Sequence, residues 1–278
     1  MQVINTLKDL KDWVWSIKKS GQSIGLVPTM GFLHEGHLTL VESAKAETDA
    51  VVMSIFVNPA QFGPNEDFDR YPRDFERDSK LAEKAGVDVI FAPSPEEMYP
   101  RESPITMSAG TLAGVLCGKS RPGHFDGVLK VVTKLFHLVQ PDLAYFGQKD
   151  AQQLAIIESL VRDFNFPLEI RRIETVREQD GLAKSSRNVY LSETERLEAP
   201  KLYQALQRGV TAAREGKDPI PEMTRFLESE TSGTIDYVEL LSYPDLTEAP
   251  TGQAILALAV QFQKARLIDN IIFNLKEN

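Results

Sequence analysis

Two runs near the N-terminus, SIGLVP (23–28) and AVVMSIFV (50–57), are apolar at nearly every position. Between them GHLTLVESAKAETD (36–49) carries apolar residues at helical spacing, at Leu40, Val41 and Ala44. A strand that is apolar on both faces must be covered on both, which is the condition of a parallel sheet built from βαβ units. The pattern continues. After a polar, proline-rich loop (NPAQFGPNEDFDRYP) come a charged helix over 73–85 and a strand from Val87 to Phe91. A helix over 127–139, a strand over 141–147, a helix over 150–164 and a strand over 168–176 follow. Residues 1–176 are therefore expected to form an α/β domain with a Rossmann-like parallel sheet, whose ligands sit outside the carboxyl ends of the strands.

From about residue 177 the text changes. A loop, REQDGLAKSSRN, precedes helical text over 192–215, a second helix near 219–229, and the strand candidates YVELL (237–241), AILALAVQF and ARLIDNIIFNL. The last two suit an antiparallel pair, so 177–278 is expected to be a smaller α+β C-terminal domain. A chain of 278 residues has length enough for two such cores.

Composition narrows the function. The net charge of -9 argues against a nucleic-acid footprint, which needs a basic face. Cys117 is the single cysteine, so there is no intramolecular disulfide and no thiolate cluster for zinc, and a reducing cytoplasm is the expected compartment. AILALAV (254–260) is too short to span a bilayer and the N-terminal MQVINTLKDLKDWVWSIKKS is broken by charges, so a soluble protein without a membrane partner is expected.

LVPTMGFLHEGHLTL (26–40) places His34 and His37 where the first of these strands hands over to its helix, at the ligand edge of the sheet. Amide N–H groups at a helix start favour an anion, and two imidazoles add donors for phosphate oxygens as charge builds during displacement at phosphorus. The plainer reading is that each histidine caps or packs locally; two of them at this place favour the phosphate reading. Zinc is a poor fit, because HEGH lacks the i, i+4 spacing of H-E-x-x-H and has no third ligand nearby. GVLCGKS (114–120) has three residues between its glycines where a phosphate-cradling loop needs four, and no G-x-G-x-x-G occurs.

FGQKDAQQ (146–153) lies at another strand end entering a helix. Lys149 can meet a phosphate as a point charge, and Gln148 and Gln153 can bind polar groups without adding charge; a solvated helix start explains the same text equally well. Lys184, Ser185, Ser186 and Arg187 put two cations and two hydroxyls on one loop, fit for a polyphosphate, although alone they read as an ordinary basic loop. Asn58 and Gln61 follow the second strand, where plain turn residues are the competing explanation.

Taken together, VPTMGFLHEGHL, SIFVNPAQFGPNEDFDRYPR, CGKSRPGHFDGVLKVVTKLF, PDLAYFGQKDAQQL and VREQDGLAKSSRN resemble, in order and spacing, the pantothenate synthetase family, ligases that join pantoate to β-alanine using ATP. An H-x-G-H alone would suggest only the wider nucleotidyltransferase superfamily. The resemblance implies a Rossmann-like N-terminal domain, a C-terminal lid, a homodimer, Mg²⁺ with the ATP, a pantoyl-adenylate intermediate and a place in pantothenate biosynthesis. By motif, the ATP site would take in Met30, Gly31, Phe32, Leu33, His34, Glu35, Gly36 and His37, then Gly147, Gln148, Lys149 and Asp150, then Val176, Lys184, Ser185, Ser186 and Arg187. Gln61 and Gln153 match the pantoate-binding glutamines, with Asn58 beside them and Gln61 also near the incoming β-alanine. His37 matches the residue given the catalytic role, with His34 its companion at ATP, and Met30, Val131, Val132 and Phe146 would wall the geminal methyls. Lys184 stands where many members carry an uncharged residue. Two other readings remain at this point, another adenylate-forming enzyme on the same scaffold and a nucleotide-binding module without catalysis.

Overall fold

The computed structural model describes residues 1–64, 66 and 68–275, which form two compact units. The first comprises Met1–Ala109, Arg121–Gln148 and Ile156–Glu174; the second comprises Gly110–Ser120, Lys149–Ala155 and Thr175–Asn278.

In the first unit β1 (Gln2–Ile4), α1 (Leu7–Lys19), β2 (Ile24–Thr29), α2 (Glu35–Glu47), β3 (Ala50–Ile55), α3 (Phe75–Ala85), β4 (Val89–Phe91) and the short α4 (Pro95–Met98) follow one another. After α5 (Leu116–Ser120), which belongs to the second unit, come α6 (His124–Val139), β5 (Leu143–Gly147), α7 (Ala151–Asp163), whose residues up to Ala155 also belong to the second unit, and β6 (Glu169–Ile173). The six strands make one sheet in the order β1-β4-β3-β2-β5-β6, with every pairing parallel. Leu26, Val27, Val51, Val52 and Met53 are all buried, as runs apolar on both faces require. Val27, Val51, Met53 and Ile90 pack with Leu40, Val41 and Ala44 of α2 and Ala82 of α3. The chain runs from β2 outward to β3 and β4, then returns to place β5 on the other side of β2. The carboxyl ends of β2 and β5 are therefore the switch point at which such sheets hold ligands.

The charge-broken N-terminal run forms β1 and α1, elements that its apolar pattern alone does not announce. Thr6 caps α1 by accepting the Asp9 N–H at 3.1 Å, and Leu10 and Val14 are the buried stripe that holds the helix down.

The second unit is a three-stranded antiparallel sheet, β7 (Thr234–Ser242), β8 (Gln253–Gln261) and β9 (Arg266–Asn274), in that order, with α8 (Glu193–Glu198), α9 (Lys201–Arg214) and α10 (Ile220–Glu230) preceding it. AILALAV is the middle strand. Its Leu256, Leu258 and Val260 pack with Leu202 and Leu206 of α9 and Met223 and Leu227 of α10. Ile255 and Ala257 pack with Leu116 of α5 and with Ala151 and Ala155. That second contact is why the unit takes in two segments preceding the boundary expected at residue 176. The helical text over 192–215 is two helices, because Pro200 has no N–H to continue the ladder. Among the described residues no helix is long and apolar enough to cross a membrane.

Candidate active site

The turn between β2 and α2 is built from a threonine, a glycine and an aspartate far along the chain. Thr29 donates its hydroxyl to the Ser54 carbonyl at 2.6 Å and accepts the Gly31 N–H at 3.2 Å. Gly31 (φ 86) and Phe32 (φ 52) then turn the backbone through two left-handed residues. Gly31 has no room for a side chain as well: a Cβ there would lie 3.0 Å from Asp78 Oδ2 and from Ile55 Cγ2. Asp78 of α3, 1 % exposed, accepts the Phe32 N–H at 2.6 Å and the Leu33 N–H at 2.7 Å. Burial raises its carboxyl pKa, and the two amides with the Arg77 charge only partly offset that.

His34 is the N-cap of α2 and His37 its third residue. His37 Nδ1 accepts the His34 N–H at 3.3 Å, and the two rings lie 4.0 Å apart, tilted by 32°. An imidazole whose Nδ1 accepts carries its proton on Nε2 when neutral, so the cap fixes the tautomer of His37. The local-capping reading and the phosphate reading are compatible here, one using Nδ1 and the other Nε2. The amides of Gly31, Phe32, Leu33 and His34, which lead into the helix, all have protein partners.

A hollow of about 280 Å³ opens at the carboxyl ends of β2, β3 and β4, lined by Met30, Gly31, Ile55, Phe56, Phe68 and Arg73 among others. Met30 Sδ also receives the Gln61 Nε2–H at 3.2 Å, from a 3-10 turn (Pro59–Gln61) after β3. Asn58, 1 % exposed, has every hydrogen-bonding position taken. Its Oδ1 accepts from Ala60 N and from Tyr99 Oη, and its Nδ2 donates to Gln61 Oε1 and to the Gly127 carbonyl. Below the turn, His124 Nδ1 donates to the Gln61 carbonyl at 2.8 Å, which leaves Nε2 to accept from Arg121 at 3.0 Å. Arg121 is in turn paired with Glu66 through two bonds, 2.8 and 2.6 Å. Val131, Val132 and Phe146 are buried side chains of α6 and β5; Gly147 ends β5 and Gln148 follows it in a 3-10 turn, both half-buried.

In the second unit Lys149 lies 3.9 Å from Asp150 Oδ1, and its carbonyl accepts from Asn270 Nδ2 of β9 at 2.9 Å. Gln153 is half-buried on α7, next to Gln152, which is spent on Leu112 O, Val115 O and the Gly118 N–H. The Lys184 N–H donates to the Val176 carbonyl at 2.9 Å, so these two predicted residues are brought together. Ser185 caps a short 3-10 helix (Ser186–Tyr190) by accepting the Arg187 N–H, which groups Lys184, Ser185, buried Ser186 and Arg187 on one turn. The segment leading there is anchored by Arg177, held by Asp269 at 2.6 and 2.9 Å and stacked on Tyr203. GVLCGKS closes as the short helix α5 and not as a phosphate loop.

The family model described as pantoate-beta-alanine ligase matches residues 2–272. The chain belongs to that family. Among curated members it is 58 % identical to the pantothenate synthetase of Lysinibacillus sphaericus over 100 % of this chain and 99 % of that one. It is 56 % identical to that of Bacillus subtilis over the same shares. The crystal structure of pantothenate synthetase from Thermus thermophilus superposes with a TM-score of 0.90 at 45 % identity, covering 98 % of this chain and 99 % of that chain. The Francisella tularensis ligase, solved with β-γ ATP and β-alanine, gives 0.84 at 36 %, covering 98 % and 97 %.

As a pantoate-beta-alanine ligase, this protein joins pantoate to β-alanine. Within the ligase the sequence signals pointed to the residues at the strand ends and missed those that brace them. Asp78, Tyr99, Arg121 and His124 carried no signal of a role, although the last two lie within the family block CGKSRPGHFDG.

Proposed function

We propose that the ligation runs through a pantoyl adenylate made from ATP, with the turn at His34 and His37 binding phosphate and Gln61 binding the acid. The observation that carries this reading is the place of Met30. It opens the turn that ends in the two histidines, and its sulfur takes the amide nitrogen of Gln61. An acid at Met30 thus meets an uncharged donor from Gln61 close to the turn that carries the imidazoles, which is the juxtaposition that attack of a carboxylate oxygen on phosphorus needs. An uncharged amide leaves a carboxylate nucleophilic, where an arginine clamp would hold it in its ground state.

On this reading a pantoate carboxylate oxygen attacks the α-phosphorus, the bond to the bridging oxygen breaks, and pyrophosphate leaves with the electron pair. The amine of β-alanine then attacks the acyl carbon, loses a proton, and displaces AMP. His37 donates from Nε2 to phosphate oxygen with His34 beside it, and Lys149, Lys184, Ser185, Ser186 and Arg187 hold the polyphosphate. Gly147, Gln148, Asp150 and Val176 line the nucleotide. Gln153 joins Gln61 at pantoate, Met30, Val131, Val132 and Phe146 face the methyls, and Asn58 acts through Gln61. The C-terminal unit serves as a lid that keeps water from the adenylate. Among the described residues no group of three or more His, Cys, Asp or Glu side chains is placed to hold a metal. Mg²⁺ accompanying the ATP is what the family resemblance implies, and it would neutralise charge on the phosphates. The protein acts in the cytoplasm, a reading its single cysteine supports, and as a homodimer, as the family resemblance implies.

The test is pantoate-dependent exchange of labelled pyrophosphate into ATP with β-alanine omitted. Exchange that requires pantoate supports the reading. ATP binding without exchange sinks the adenylate step.

A further inference from the structure

We propose that Asp78 is a positioning residue for phosphate binding, acting through the backbone of Phe32, Leu33 and His34 on the His37 ring. This rests on the reading that the two histidines bind the phosphates of ATP.

A buried carboxylate beside a site for anions needs a reason. It opposes the ligand electrostatically, and burial disfavours its charge, so attraction cannot be its purpose. Its geometry supplies the reason. Phe32 and Leu33 point two successive N–H groups at the same place, and each of the two carboxylate oxygens takes one, at 2.6 and 2.7 Å. Two donors need two acceptors, which an aspartate has and an asparagine of the same shape lacks.

What those bonds hold is an unfavourable backbone. Phe32 carries a side chain at φ 52, in the region that a Cβ disfavours, and it follows Gly31 at φ 86. Released from Asp78, the turn would relax toward ordinary dihedrals. The next residue is His34, whose N–H must point at His37 Nδ1 for the His37 ring to keep its orientation and tautomer. The carboxylate therefore sets the direction in which the chain enters α2, and with it the direction of the Nε2 donor. It also explains Gly31, because the position a Cβ would occupy lies 3.0 Å from Asp78 Oδ2.

The experiment is a double-mutant cycle in pantoate-dependent pyrophosphate exchange, using Asp78→Asn and His37→Ala on the full chain with thermal melts alongside. Asp78→Asn should lower the exchange rate at least about tenfold and raise KM for ATP, while KM for pantoate stays within about twofold. In the His37→Ala background the same change should cost less than about twofold, because the donor it positions is gone. An equal cost in both backgrounds, or a parallel rise in both KM values, would show a merely structural role and overturn the proposal. If Asp78→Asn does not fold at the assay temperature, Asp78→Glu, which keeps both oxygens one methylene further out, replaces it in the same cycle and is judged by the same two outcomes. Absence of exchange in the unmodified protein defeats the adenylate reading itself, and this proposal with it.

Discussion

Asn58 Nδ2 donates to Gln61 Oε1 at 3.1 Å, and this bond decides which end of the Gln61 amide faces Met30. Asn58 cannot be turned over: Ala60 N–H can only donate to its oxygen, and the Gly127 carbonyl can only accept from its nitrogen. The hydroxyl of Tyr99, whose pKa burial raises, remains a proton donor to the same oxygen. Gln61 therefore offers N–H groups toward Met30, and a thioether is a weak acceptor that an oxygen ligand can displace. Gln61→Glu should put a negative oxygen where the donor stood. KM for pantoate is expected to rise on the order of ten- to a hundredfold, the scale of a lost hydrogen bond to a charged group, with KM for ATP changed far less. Steady-state kinetics with each substrate varied checks this, and an unchanged KM for pantoate would remove Gln61 from the acid site.

His37→Ala should cost on the order of ten- to a thousandfold in pyrophosphate exchange, the range for one transition-state donor. Its structural cost is smaller. The His34 N–H loses its acceptor, which is worth about 1 kcal/mol at a helix start. Exchange rates compared with a denaturant titration separate the two, and normal turnover would remove the assignment.

How much of this could be read from the text depends on the distance along the chain. The His34–His37 pair is local, so its place at a strand-to-helix junction was legible, as were the doubly buried strands β2 and β3 and the antiparallel β8 and β9. The braces are not local. Asp78 reaches Phe32 across 46 residues, Tyr99 reaches Asn58 across 41, and His124 reaches Gln61 across 63. Nothing in the charged run FERDSK distinguishes Asp78 from its exposed neighbours until α3 is packed against the turn. The segments 110–120 and 149–155 joined the second unit for the same reason, through packing against β7 and β8 that no local pattern announces.

Adjacent glutamines on α7 should separate binding from folding. Gln152 is buried and bonded to Leu112, Val115 and Gly118, so Gln152→Ala should destabilise the protein by about 1–3 kcal/mol. Half-buried Gln153 is proposed at pantoate. Gln153→Ala should weaken pantoate much more than ATP at little cost in stability. Calorimetric binding of each ligand alone decides it, and equal weakening of both would contradict the proposed division of the site.

The Glu66–Arg121 pair makes a pH-dependent contribution under the Gln61 turn. Burial pushes the Glu66 carboxyl up, but the bonds and charge of Arg121, with the Gly63 N–H, together hold it below its usual value of 4.5. A carboxyl lowered in the folded state stabilises above its unfolded pKa, and that contribution is lost as pH falls through the folded pKa. Wild type should therefore exceed Glu66→Gln by about 1–3 kcal/mol near neutrality, with the gap closing below about pH 4.5. Denaturant titrations of both proteins at several pH values test the sign. A gap that widens in acid would mean that the pair is not formed.

Gly127→Ala sets two opposed effects against each other at the crossing of α6 and the 3-10 turn. Alanine favours a helix over glycine by about 1 kcal/mol. A Cβ at Gly127, however, would lie 2.1 Å from the Ala60 carbonyl oxygen and 2.6 Å from Gln61 Cα. Those are backbone atoms and cannot swing aside, so α6 must lift off the turn, straining the 3.1 Å bond from Asn58 to the Gly127 carbonyl. Overpacking of this kind costs about 1–3 kcal/mol, enough to outweigh the propensity gain. The expected result is a net loss of stability together with a rise in KM for pantoate that KM for ATP does not share, because the shift moves Gln61 and leaves the turn braced by Asp78 in place. A variant that melts higher than wild type and binds pantoate normally would mean that α6 and the turn do not meet this closely in solution, and the Asn58–Gln61 orientation would then lose its foundation.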